Sequence, residues 1–252
     1  MKRVLANSIP KAGTFVLQRC LLQLPGGFDA GLHLDLRQPV DEMRARLDAL
    51  PDGAVVTAHL VHEPRFVQLV RETGVAHVLI VRDPRDVAVS YAEYAAGATH
   101  HYLHAHFAAL DPGARLLAAI TGVPGDVPWD SVALRDVGAV FAQFLPWRDE
   151  PGTLVLRFED LVGPQGGGDA ERQREAVARL AAHVGVTLDA AALEAACARV
   201  FDPSSPTFRR GACGEWRARF GPEHRRAFER VASGLPAELG YDEAPAALHA
   251  RA

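Results

Sequence analysis

The chain has 252 residues, a formal net charge of −4, 48% hydrophobic residues and 23% charged residues. That length and balance suit one α/β domain, 1–252, with a buried core, and the negative charge speaks against general nucleic-acid binding. Any anion site must therefore be a local cluster of basic groups. No apolar run is long enough to span a membrane, and the opening MKRVLANSIPKAG meets Pro10 and Lys11 too soon for a secretory signal. Cys20, Cys197 and Cys213 form neither a disulfide framework nor a zinc-type pairing. The expectation is a reduced, cytoplasmic protein whose partner is a small molecule. No nucleic acid, membrane or metal is implied, and single-copy or homo-oligomeric action stays open.

Residues 3–9 (RVLANSI) predict a short buried strand. A turn at 10–14 and the apolar run FVLQRCLLQL predict a tight glycine-containing loop and then a helix. A helix over 40–50, a strand over 54–60 and a helix over 63–74 closing on Gly74 follow. VAHVLIVRD, 75–83, has the continuous apolar character of a strand in a parallel sheet covered on both faces. Pro84 suits the first turn of the next helix. One or two helices broken at Asp111–Gly113 are predicted over 101–121, and another over 129–147. A strand at 153–158 precedes helices near 170–184, 189–200 and 222–234. GPQGGGD, 163–169, is composed like a flexible surface loop, and 242–252 like a loose tail. Strands alternating with helices predict an α/β fold with a parallel central sheet flanked by helices.

The first strand–loop–helix unit carries the most chemistry. Uncapped N–H groups at a helix N-terminus attract an anion. Gly13 lets backbone approach a phosphate, Lys11 brings a full charge and Thr14 a hydroxyl. The loop is not GxxxxGK[ST], so the triphosphatase form is absent. By itself a Lys-x-Gly-Thr turn is equally a plain strand–helix connection. Arg82 ends a buried strand, and Ser90 stands two helical turns past Pro84. Strand end and helix face can converge on one phosphate, to which Arg offers paired donors. The plainer alternative pairs Arg82 with Asp83 or Asp86. Arg85 is expected in solvent. Arg209, Arg210 and Gly211 form a basic turn that can wrap a phosphate or lie exposed. Trp216 is expected to contribute buried area.

Four segments together resemble one family, in its order, across residues 10–220. PKAGT is similar to the PKSGT loop of sulfotransferases that use 3′-phosphoadenosine 5′-phosphosulfate (PAPS). TAHL, 57–60, resembles their KTHLP stretch, VRDPRDVAVSY, 81–91, their R-[NDP]-P-[KR]-D-x-x-x-S-x-Y segment, and FRRGACGEWRARF, 208–220, their RKGxxGDWKxxF segment. The resemblance implies the P-loop-related sulfotransferase fold. It implies that Lys11, Ala12, Gly13, Thr14 and Phe15 hold the 5′-phosphosulfate, and that Arg82, Ser90, Arg209, Arg210 and Gly211 hold the 3′-phosphate. It further implies that His59 is the general base toward an acceptor hydroxyl, with Lys11 on the leaving phosphate and no metal.

A lone histidine is more often structural, but a neutral imidazole at a strand's C-terminal end suits the base role. His62 is the nearby competitor and, failing that, is expected among the contacts of the acceptor. Ala12 stands for the family's serine, Phe15–Val16 for Thr-Trp, Thr57 for a lysine, Phe158 for a frequent tyrosine and Glu215 for aspartate. These departures touch the adenine contacts and the chemistry more than the phosphate anchors. His100, His101, His104 and His106 include a pair four apart on one helix face, yet no carboxylate or cysteine completes a metal set. His100 and His104, with Tyr91, Tyr94, Tyr102 and Phe107, are expected either to wall the acceptor pocket or to form an exposed helix. Two other functions fit parts of this pattern: a small-molecule kinase of the phosphate-loop class, and a non-catalytic module binding PAPS or adenosine 3′,5′-bisphosphate.

Overall fold

The computed structural model describes residues 1–123, 135–201 and 212–241. Five parallel strands form the sheet, in spatial order β2-β3-β1-β4-β5. They are β1 (Val4–Ser8), β2 (Phe28–Asp35), β3 (Ala54–His59), β4 (Ala76–Val81) and β5 (Thr153–Arg157). β1 sits between β3 and β4, so the chain leaves it for one edge and later crosses to the other. Ligands of open α/β sheets bind at the carboxyl ends of strands beside such a reversal.

Each strand side chain alternates between two apolar layers. Leu5, Val56, Leu79 and Val81 meet α2 (Val40–Asp48), α3 (Pro64–Thr73), α4 (Pro84–Gly97), α6 (Pro112–Thr121), α7 (Val137–Phe144) and α12 (Pro222–Ala232). Val4, Ala6, Val55, Val78 and Ile80 meet α1 (Thr14–Leu22), α8 (Phe158–Val162), α9 (Ala170–His183) and α10 (Ala190–Ala198) on the other face. The short helices α5 (His104–Ala109), α11 (Trp216–Arg219) and α13 (Leu235–Glu238) complete the described chain. No helix among the described residues is long and apolar enough to cross a membrane.

The expected strands and longer helices are present, and the parallel sheet covered by helices is the expected fold class. β2 is an addition. It is the edge strand, its outer residues are exposed, and its register shifts between Asp29 and His33 around Gly31 at φ 63°. Ala30, Leu32 and Leu34 pack inward and alternate with Asp29, Gly31, His33 and Asp35, a period-two pattern that sequence reading passed over. The expected loose loop at 163–169 instead contains a 3₁₀ turn, Pro164–Gly166, with Gly166 buried and its carbonyl accepting from the Cys213 N–H at 3.0 Å. The 242–252 segment, and the first part of the helix expected from 129, lie outside the described residues.

His77 on β4 shows how strictly the sheet excludes charge. It is 1% exposed. Its Nδ1 lies 2.9 Å from the Thr153 hydroxyl on the paired strand, while Nε2 has no partner among the described residues. A second ring proton would be buried unbonded, and burial holds this pKa down at about 3. The folded ring is therefore neutral where the unfolded ring is charged. Stability from His77 is complete above its ordinary value of 6.5 and is lost as pH falls from there toward about 3. By about pH 5 the loss is about 2 kcal/mol. Urea unfolding between pH 7 and 5 should show that decline added to the one from buried His59, and His77→Phe should remove the His77 share alone.

Candidate active site

The carboxyl end of β1 turns at Pro10 and enters α1 at Thr14. Lys11 has φ 71° and Gly13 φ 113°, so two left-handed residues fold the loop back under the helix. The Ala12 N–H closes the turn on the Ile9 carbonyl at 2.9 Å. No side chain caps α1, so its first N–H groups point out of the loop as an anion site would need. Gly13 is required there twice over. Its φ suits no other residue well, and a Cβ on it would lie 2.6 Å from the Phe158 ring.

Behind the loop is a polar seam that sequence reading missed. Asn7, fully buried, donates from its amide to the Leu60 carbonyl at 2.8 Å and accepts the Leu60 N–H at 2.9 Å, clamping the end of β3 to β1. The Ser8 hydroxyl is 2.7 Å from the Thr14 hydroxyl and 3.2 Å from Nδ1 of His59. Ser8 thus joins the β1–α1 loop to the histidine. Its signal in the sequence was only two polar residues, Asn7 and Ser8, closing an otherwise apolar strand.

His59 ends β3. Its Nδ1 lies 2.8 Å from the Ser8 carbonyl, an acceptor, so Nδ1 carries the hydrogen and Nε2 keeps the lone pair. Nε2 has no hydrogen-bond partner among the described residues. The pKa is held down at about 4, chiefly by burial, with the charge of Lys11 and the neighbouring His33 adding to the fall. The ring is neutral at pH 7 in the tautomer a base requires. His33, from β2, meets it edge to face with centroids 4.9 Å apart. Sequence reading gave no role to His33, because the strand bearing it was not predicted.

Arg82 leaves the end of β4 and is only 7% exposed. Nη2 donates to the Ala212 carbonyl at 2.9 Å and Nη1 to the Lys11 carbonyl at 3.5 Å, while the guanidinium lies 4.3 Å over the Phe158 ring. Asp86, one helical turn on, is 3.9 Å from Arg82 and accepts the N–H groups of Gly214 and Trp216 at 2.6 and 2.9 Å. Burial pushes the Asp86 carboxyl up against the downward pull of Arg82 and these N–H groups. Three sequence segments therefore meet at one guanidinium. The pairing with Asp86 read from sequence is present, together with these other contacts rather than in place of them.

Along α4, Asp86, Ser90 and Tyr94 recur every fourth residue and share one face. Asp86 meets Arg82, and the Tyr94 ring carries Lys11 Nζ 3.7 Å above it, so half-buried Ser90 lies on the stripe between the two cations. Arg209, Arg210 and Gly211 lie outside the described residues. Phe15 is 44% exposed at the start of α1.

Arg85 corrects the expectation of a solvated side chain. It is buried, forks onto the Asp83 carboxylate at 2.7 and 2.8 Å, and lies 3.9 Å over the Trp216 ring. Trp216 is itself buried. Arg85 also donates to the Tyr241 carbonyl at 3.0 Å, and the Tyr241 hydroxyl donates to Glu159 at 2.7 Å. Glu159 in turn accepts the Asp83 N–H at 3.1 Å. The last described residue is so latched onto the start of α4.

His62, the alternative base, is engaged elsewhere: Nε2 is 2.9 Å from Glu150, and the ring meets Trp147 edge-on. That corrects its expected place in the acceptor pocket, because chain reversal after β3 carries it to the Gln143 carbonyl at 2.7 Å. Of the later cluster, His101 reaches the site and was not singled out. Its ring meets Tyr91 and Tyr94, and the Lys11 charge helps to lower its pKa, after burial. His100 is exposed, 3.2 Å from the Tyr94 hydroxyl. His104 is partly buried with Nδ1 unpartnered among the described residues, and Tyr91 is buried against Phe107. Among the described residues, no three His, Cys, Asp or Glu side chains converge as a metal site.

No family model matches the sequence, and no curated protein is significantly similar to it. Solved structures are similar in fold. The crystal structure of mouse sulfotransferase SULT7A1 with PAP superposes with a TM-score of 0.68 at 17% identity, covering 93% of this chain and 84% of that one. Retinol dehydratase with androsterone and inactive cofactor PAP gives 0.60 at 15% identity, covering 94% and 81%. Retinol dehydratase with retinol and PAP gives 0.56 at 16% identity, covering 94% and 82%. A five-stranded parallel sheet in the order β2-β3-β1-β4-β5, with helices on both faces, is in this chain the sulfotransferase fold.

Proposed function

We propose that this protein is a sulfotransferase that moves a sulfuryl group from PAPS to the hydroxyl of a small-molecule acceptor. One observation carries the reading: His59, in the base tautomer, shares a hydrogen-bonded seam through Ser8 with Thr14 of the uncapped phosphate loop. A base and an anion site are thereby held at one strand end, the arrangement that in-line group transfer needs. PAP, the adenosine 3′,5′-bisphosphate left when PAPS gives up its sulfuryl group, is bound by the similar structures.

The α1 N–H groups, Gly13 and Thr14 take the 5′-phosphate, and Lys11 moves from the Tyr94 ring to the bridging oxygen, where charge grows as the S–O bond breaks. Arg82 and Ser90 take the 3′-phosphate, with Arg209, Arg210 and Gly211 as further ligands. The acceptor gives its proton to Nε2 of His59. An imidazole whose pKa is about 4 is a weak base, but the anionic donor offsets the Lys11 charge and raises it when bound. Tyr91, Tyr94, His100, His101 and His104 wall the acceptor. No step requires a metal.

Calorimetry with PAP is the first test. Binding of PAP without magnesium supports the reading; binding of ATP with magnesium, and not of PAP, would replace it with the kinase. His59→Ala is expected to lower turnover of PAPS about 10²–10⁴-fold with PAP affinity unchanged. Unchanged turnover would remove His59 as base, and a wild type that binds PAP but never cleaves PAPS would be a binding module.

A further inference from the structure

The imidazole pair at the open edge of the sheet extends this site. β2 and β3 run parallel with Asp35 beside His59 and His33 beside Thr57, so all four side chains stand on one face. His33 Nδ1 is 2.9 Å from the Thr57 hydroxyl, which itself reaches the Leu32 carbonyl at 3.5 Å. Thr57 stands where the resembling sequences carry lysine, and here it fastens a second histidine instead. The His33 ring is exposed on its outer side and lies edge to face on the partly buried His59.

We propose that His33 is a positioning residue for His59: pinned by Thr57, it fixes the plane of the base and closes its solvent side. The proposal rests on His59 acting as the base. The groups that face His59 are the Ser8 carbonyl and hydroxyl from β1, Lys11 from the phosphate loop, and His33 and Asp35 from β2. Asp35 is in turn 3.5 Å from Arg37. His33 alone among these covers the ring with an aromatic surface. Removing it admits water to His59 and leaves the ring free to turn about the Ser8 hydrogen bond.

Imidazole proton–nitrogen spectra of the full chain, recorded against pH, read the tautomer and titration of His59 directly. In the wild type His59 is expected to carry its hydrogen on Nδ1 and to titrate near pH 4. In His33→Ala the midpoint should rise by about one unit toward the ordinary value as solvation returns, and the Nδ1 preference should weaken. His33→Phe, which keeps the ring but not the Thr57 hydrogen bond, should hold the midpoint low. His33→Asn, a second exposed-site variant, guards against a folding artefact. An unchanged His59 tautomer and midpoint in both His33→Ala and His33→Asn would overturn the proposal. If the wild type neither binds PAP nor cleaves PAPS, the sulfotransferase reading fails by itself, and the spectra still decide the role of His33.

Discussion

Arg82→Met is expected to weaken PAP binding at least a hundredfold and to destabilise the protein by about 3 kcal/mol. The guanidinium is nearly buried and supports two separated carbonyls, those of Lys11 and Ala212. Its loss unties the phosphate loop from the segment that follows residue 211. It also strands Asp86, 1% exposed, without its nearest cation. Burial already pushes the Asp86 carboxyl up, so without Arg82 that carboxyl takes a proton more readily. The stability deficit of the variant should therefore shrink as pH falls, the reverse of the His77 effect. Arg82→Lys should not rescue binding, because a compact ammonium cannot span both carbonyls and a phosphate. Urea unfolding at two pH values and calorimetry with PAP measure these effects. PAP affinity within about threefold of wild type would remove Arg82 from the site.

Gly13→Ala should be almost as damaging. The alanine must adopt φ 113°, and its Cβ would lie 2.6 Å from Phe158 and 3.3 Å from Ile80. The backbone cost of about 1–2 kcal/mol and an overpacking cost of about 1–3 kcal/mol add to roughly 2–5 kcal/mol. The strain relaxes by tilting the loop away from β4, which turns the α1 N–H groups off the anion. PAP affinity should fall with stability. In the double variant Gly13→Ala, Phe158→Leu, part of the clash disappears while the φ cost remains, so recovery should be incomplete. Full recovery would mean that the left-handed backbone is immaterial.

The legible parts of this chain were those with a strong local signal. β1, β3, β4 and β5 are short apolar runs between turn residues, and α3 and α12 have one apolar face with glycine or proline at an end. β2 carried a weaker signal: Ala30, Leu32 and Leu34 alternate with Asp29, Gly31 and His33, but the glycines before and within the strand read as loop. His33 was lost with it. Arg85 was placed in solvent because nothing local announces that Trp216 and Tyr241, more than a hundred residues away, come to cover it. Lys11, Gly13, Arg82 and Ser90 were singled out through their order along the chain; Ser8, which links the loop to His59, has no motif and emerges only from three-dimensional proximity.

The latch between Tyr241 and the start of α4 also sets a timetable for synthesis. A ribosome that has extruded the first 160 residues has released every strand of the sheet, for β5 ends at Arg157. Arg82 and Asp86 must still wait for Ala212, Gly214 and Trp216, and Arg85 and Glu159 for Tyr241. The nascent protein thus owns its scaffold well before the proposed nucleotide site is assembled. Until then Arg82, Arg85, Asp86 and Glu159 lack those partners on a nearly finished surface, open to whatever counter-charges the surrounding cell supplies.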